Sequence, residues 1–218
     1  MSSQVRGGTR WKRFALVMVP SVVATAAVGV GLAQGALAAS FSVSGQEFKV
    51  RTDRLEGKDF VQYGSVAVGT DIEGKKDAAH AVAVSGFSYA EITNMCQSVV
   101  TPDVPLFGNV SLKLEAGTKP DRPVVATNLY LDVSQLDADA EFKNIDIGVA
   151  AGSLQKADRP GSIGIQPGTK AKAGGFSQRA ETAVLTGVEQ KAWATTAGTF
   201  KLSDLKLRLH TGKKKECF

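Results

Sequence analysis

Residues 40–218 predict an all-β domain, an antiparallel sandwich or barrel-like fold or else a partly solenoidal stack of sheets, set behind one N-terminal hydrophobic helix. Three observations carry this. Beyond residue 40 apolar side chains recur at every second position rather than every 3.6. No window there sustains an amphipathic helix. The connectors are dense in Gly, Pro and Asp, which punctuate strands. A body of this size builds one domain with a proper core and is small for two.

Residues 1–13 form a basic region with Arg6, Arg10, Lys12 and Arg13 and no acidic residue. Phe14 to Ala33 follows, 20 residues whose only polar side chains are Ser21 and Thr25. About 20 apolar residues in a helix cross a hydrocarbon core of roughly 30 Å. The cations before the run keep the N-terminus cytoplasmic, so residues 40–218 are expected outside the cytoplasmic membrane. Trp11, Lys12 and Arg13 sit where an anchor meets the interface, with Phe14 and Ala33 bounding the span. Residues 14–39 also read as a signal peptide, because Ala36-Leu37-Ala38 is an A-x-A cleavage site after a basic and an apolar stretch. The length favours a retained anchor and the small residues favour cleavage; both readings stay open. Gly31 and Gly35 fit a helix-pairing G-x-x-x-G, or simply belong to the small residues near such a site.

Strands are expected at Phe41–Val50, Phe60–Val68, Ala79–Ile92, Val110–Leu114, Val124–Val133, Ala138–Val149 and Phe200–Leu209, with a weaker one at Phe176–Val188. In Val124–Val133 one face would carry Val125, Thr127, Leu129, Leu131 and Val133, the pattern of a strand with one dry side. Thr101–Pro105, Gly117–Pro120 and a long stretch from Lys156 to Gly175 are expected as connectors. An apolar-x-x-apolar-x-apolar pattern recurs at Tyr63-Val66-Val68, Phe142-Ile145-Ile147 and Leu202-Leu205-Leu207, and more weakly at Phe87-Ala90-Ile92. A side-chain slip of one residue would turn a plain strand's dry face to water, so the pattern implies a bulge or corner. Lys119-Pro-Asp121-Arg122-Pro123 is echoed by Lys156-Ala-Asp158-Arg159-Pro160. Turn formation explains both; matched rim charges for a partner are the sharper alternative.

Cys96 and Cys217 are the only cysteines. An even count in an oxidising compartment predicts a disulfide between them. The formal charge of +5 suggests nucleic acid at first sight. Four of the 26 Lys and Arg precede residue 14 and none lies in 14–39, which leaves 22 against 21 acidic residues. The body is near neutral, so no polyanion partner is expected.

Catalytic constellations are absent. No G-x-S-x-G elbow occurs, and Val84-Ser85-Gly86 and Gly175-Phe176-Ser177 each lack a glycine. His80, beside Asp77, and His210 are the only candidate bases, and both read as exposed strand-end residues. Asp137, Asp139 and Glu141 share a face by strand spacing alone, which is common. No metal motif or phosphate-cradling loop appears, so no metal or cofactor is expected. Trp193 lies in a run short of charge; a core anchor is the plainer reading and an apolar binding platform the alternative.

Trp193-Ala-Thr-Thr-Ala-Gly-Thr-Phe200-Lys-Leu202, Glu216-Cys217-Phe218 and Gln34-Gly-Ala-Leu-Ala-Ala-Ser-Phe41 together resemble an uncharacterised actinobacterial family of Streptomyces-type envelope proteins, single-span or signal-bearing. The resemblance extends over essentially the whole chain. Some members carry the label cholesterol esterase, which implies a serine nucleophile that this sequence does not display. The resemblance also implies a multi-span membrane protein as partner. The expectation is a non-catalytic envelope protein, anchored or secreted, that binds an apolar ligand or a partner, or self-associates. A secreted hydrolase of lipid or sterol esters is the alternative.

Overall fold

The computed structural model describes residues 43–74, 76–154, 162–212 and 215–218. The span Phe14–Ala33 with Trp11, Lys12 and Arg13, the Ala36–Ala38 site and the motif 156–160 lie outside the described residues. Among the described residues no helix is long and apolar enough to cross a membrane.

The period-two sequence forms strands, and several are far longer than the usual five or six residues. They are β1 (Val43–Gly45), β2 (Phe48–Asp71), β3 (Lys76–Thr93), β4 (Met95–Val104), β5 (Gly108–Ala116), β6 (Val124–Lys143), β7 (Asp146–Ala150), β8 (Phe176–Thr196), β9 (Thr199–Lys201) and β10 (Lys206–Thr211). All lie in one sheet of order β10-β5-β4-β2-β3-β6-β8-β7. An additional β2–β8 pairing closes β2, β3, β6 and β8 into a small barrel. Every pairing is antiparallel except β1 with β2. The all-β, barrel-like expectation therefore holds for the described residues.

Strands this long must bend, and the bend is written across four of them at one level. Gly57 pairs with Ala90 and Ala183, and Ala90 pairs with Ala126. Three residues further along, Phe60 pairs with Ala180 and Phe87 with Leu129. All eight are buried. A buried position three residues from the last is a slip in the alternation, and here every strand slips together, so the ladder stays in register. Asp59 (φ 50°) and Asn128 (φ 48°) sit inside this corner in the left-handed region, where short polar side chains are tolerated. Ser88 Oγ donates to Asp59 Oδ2 at 2.6 Å. The row of Gly and Ala makes room for the row of rings: a Cβ on Gly57 would lie 2.2 Å from Phe87 Cδ1. A second paired slip lies between Thr52 and Leu55 on β2 and between Leu185 and Val188 on β8, with Gly187 at φ 60°.

This corrects the expected faces of Val124–Val133. Val124 and Ala126 point inward, then Leu129, Leu131 and Val133 do, because Asn128 shifts the phase. Of the expected strand Phe41–Val50, Val43–Gly45 forms β1 and only Phe48–Val50 joins the expected Phe60–Val68 in β2, since Leu55 and Gly57 between them also face inward. The slip expected at Tyr63-Val66-Val68 does not occur. Tyr63 and Ala67 keep one face and Val66 is exposed. Corners do occur at the other copies: Asn144 (φ 53°) separates Phe142 from β7, and Asp204 (φ 54°) separates β9 from β10. Thr101–Pro105 is not a plain connector; β4 runs through most of it with a register shift around Pro102.

Two hydrophobic cores result. One fills the barrel around Phe60, Phe87, Leu129, Leu131 and Leu185. The other lies on the outer side of the same strands around Val61, Tyr63, Val84 and Tyr130, closed by Leu154 and Ile163. Consecutive Phe60 and Val61 are both buried because β2 is dry on both faces here. The connector 162–175 is tied down by two phenols: Gln166 N–H donates to Tyr63 Oη at 2.7 Å, and Tyr130 Oη donates to Gly164 O at 3.3 Å.

The predicted disulfide is present. Cys96 on β4 joins Cys217 across a sequence separation of 121, with Cα atoms 5.8 Å apart. The tail follows: Cys217 N–H donates to Ser98 Oγ at 3.0 Å and Lys215 N–H to Ser111 Oγ at 3.3 Å. Lys49 Nζ meets Glu216 at 3.1 Å. Arg122 of the first Asp-Arg-Pro motif forms a turn on Lys119 and binds Asp204 Oδ1 at 2.9 Å, which secures the β9–β10 corner.

Candidate functional site

The bends leave the barrel incompletely filled. A cavity of about 140 Å³ lies in its lumen. β2 contributes Leu55 and Phe60, β3 contributes Phe87, and β8 contributes Leu185 and Val188. The fourth wall is the second half of β6, through Leu136, Ala138, Ala140 and Phe142. That wall is the mouth, because Leu136, Ala138 and Ala140 are exposed to solvent. Beyond it a narrower space of about 20 Å³ runs toward Met95 and Phe200, sharing Leu55, Leu131, Val188 and Gln190 with the first.

The polar groups of the lining are few. Gln178 Nε2 donates to Gln62 Oε1 at 2.6 Å, and Gln62 Nε2 donates to Ser85 Oγ at 2.9 Å. This chain fixes the orientation of the Gln62 amide and leaves the Ser85 hydroxyl a donor. Gln190 stands between the two spaces, is buried, and no side chain among the described residues hydrogen-bonds to its amide. Its amide is not sealed off, since the buried side-chain polar atoms without a partner among the described residues are Ser65 Oγ and Asp204 Oδ2; it reaches the cavity space, where water or a ligand can hydrogen-bond to it. The lining holds no titratable side chain, so recognition rests on shape and neutral hydrogen bonds.

The other candidate residues fall elsewhere. Trp193 is half-buried on β8 against the outer core, and its ring stacks on His80 with centroids 3.6 Å apart and planes at 11°. His80 is thus half-buried against Trp193 rather than an exposed strand-end residue, because β3 begins four residues before it. His210 lies near the end of β10, as expected, but is half-buried rather than exposed. The two histidines lie on different elements, and neither faces the cavity. Asp137, Asp139 and Glu141 lie on the exposed face of β6, opposite its cavity wall. In the outer core, burial pushes Tyr63 up to about 12 and also raises Tyr130 and the Asp132 carboxyl.

Sequence reasoning did not single out Gln62, Gln178 or Gln190. A signal was there: Gln190 falls in phase with Val188 and Ala192, and Gln62 in phase with Phe60, each a polar residue in a dry register.

Residues 44–218 match one family model, that of a family of unknown function (DUF6230). No curated protein matches the chain, and no solved structure does.

Proposed function

The chain belongs to that family, and from its geometry we propose that it is a non-catalytic, exported envelope protein whose β domain holds a small apolar ligand in the barrel lumen. The observation that carries the reading is the open cavity of about 140 Å³, lined mostly by apolar side chains with Gln62, Ser85 and Gln190 as its polar groups. Cavities near this size bind benzene-sized molecules in other proteins. A body of about five buried methylenes gains about 4 kcal/mol, on its own roughly millimolar affinity. A hydrogen bond to Gln190 contributes about 0.5–1.5 kcal/mol more. The ligand class is therefore a short acyl or aliphatic body with one neutral hydroxyl or carbonyl head. Export is supported by Arg6, Arg10, Lys12 and Arg13 ahead of the apolar run and by the Cys96–Cys217 bond, which persists in oxidising compartments.

Native mass spectrometry of the full chain isolated from its own cells tests the reading. We expect a discrete mass excess that solvent extraction removes and that an Ala140→Phe variant, which fills the mouth, lacks. A bare polypeptide from wild-type cells refutes it.

A further inference from the structure

Two of the sheet's unpaired edges among the described residues carry opposite charge. β6 runs beside β3 only as far as Val133, which pairs with Ala83, whereas its pairing with β8 continues to Lys143. From residue 134 on, one edge of β6 is therefore open. Its outward face carries Asp137, Asp139 and Glu141, all exposed, and its other face is the cavity wall. β10 ends the sheet and pairs with β5 alone. There Lys206, Arg208 and His210 alternate with Leu205, Leu207 and Leu209, which are 50%, 57% and 67% exposed.

We propose that these two edges form one interface between copies of this chain, with β10 of one copy added antiparallel to residues 137–142 of β6 in the next. The register follows from the alternation. Setting Arg208 opposite Asp139 sets Lys206 opposite Glu141 and His210 opposite Asp137. The same register sets Leu205, Leu207 and Leu209 opposite Phe142, Ala140 and Ala138. Opposite charges and apolar pairs then fall directly across from one another on each face. A slip of one residue would set the acids against leucines or, in one direction, Asp137 against Thr211, so the register is specified. Backbone groups of both edges find partners, as in strand addition generally. The leucines continue the apolar wall at the cavity mouth.

Charge also decides the symmetry. A two-fold pairing of β10 with itself about Leu207 would bring Lys206 against Arg208, and β6 with itself would align carboxylates. Each edge therefore takes the other kind of edge from a second copy, and where that contact is not reciprocated within one pair it builds rings or filaments.

The full chain in mild detergent, followed by analytical ultracentrifugation over rising concentration, tests this. Wild type gives species of two, three and more copies that dissociate as salt is raised. Glu141→Lys and Lys206→Glu each weaken association by roughly tenfold or more, since each creates a like-charge contact. Mixing the two variants restores it, because each then supplies the edge that the other needs. Both substitutions are on exposed side chains, and unchanged urea midpoints confirm that each variant folds. Wild type that stays a single copy throughout, association that neither variant weakens, or a mixture no better than its components overturns the proposal.

Discussion

Replacing Gly57 by alanine tests the bend directly. The added Cβ would lie 2.2 Å from Phe87 Cδ1, 2.7 Å from Cε1 and 3.0 Å from Cγ. Phe87 is 1% exposed and packs against Phe60 with centroids 5.4 Å apart, so its ring can give way only toward the cavity that it lines. Overpacking of this kind costs about 1–3 kcal/mol. Gly→Ala recovers about 0.4–1 kcal/mol by restricting the unfolded chain. The net expected loss is about 1–2 kcal/mol, or roughly 0.5–1 M in the urea midpoint at a slope near 2 kcal/mol/M. Phe87→Leu alone also destabilises by removing buried ring volume. If the small row exists to admit the rings, the double variant loses less than the sum, with a coupling of about 1 kcal/mol or more. Strictly additive midpoints, or a Gly57→Ala protein as stable as wild type, would refute the reasoning.

Four further outcomes are expected. Gly187→Ala, at φ 60° with open space around it, costs about 1–2 kcal/mol through backbone strain alone, read from the same urea titration. Reducing Cys96–Cys217 releases a loop spanning 121 residues, worth about 5 kcal/mol by chain entropy, and alkylation shifts the mass only after reduction. Tyr63 titrates near 10 when unfolded and near 12 when folded. The folded state then holds the proton more tightly, so stability is full below about pH 10 and falls as pH rises toward 12; Tyr63→Phe flattens that decline in pH-dependent melting. A C-terminal tag on the full chain is digested by protease added to intact spheroplasts, and protection of the tag would remove the case for export.

Alternation made the all-β class legible, and the rule that a slip marks a corner was sound. Its placement was harder. The corner at Phe87–Ala90 was visible because both positions are apolar, and so were those at Phe142–Ile145 and Leu202–Leu205. The partner corners on β2, β6 and β8 use Gly57, Ala126, Ala180 and Ala183, small residues that periodicity reads as neutral. Tyr63-Val66-Val68 misled for another reason. β2 is covered on its outer side by residues 162–175, so Val61 and Tyr63 are dry on the face opposite Phe60. A sequence pattern registers that a position is buried, not on which side. The cysteine pair was legible from count alone. The cavity was not, because Leu55, Phe60 and Leu185 read the same around a void as in a packed core.

The closure of β2 on β8 sets a schedule for biogenesis. Leu55 finds its partner in Leu185, and Cys96 in Cys217, 121 positions further on. Contacts so distant along the polypeptide form slowly. A chain emerging N-terminus first therefore exposes its first long hairpin, β2 with β3, with both flanks unsealed until β6 and β8 have followed. A chain cut before β8 would keep that hairpin with neither the strand that closes the barrel nor the Cys217 that locks it.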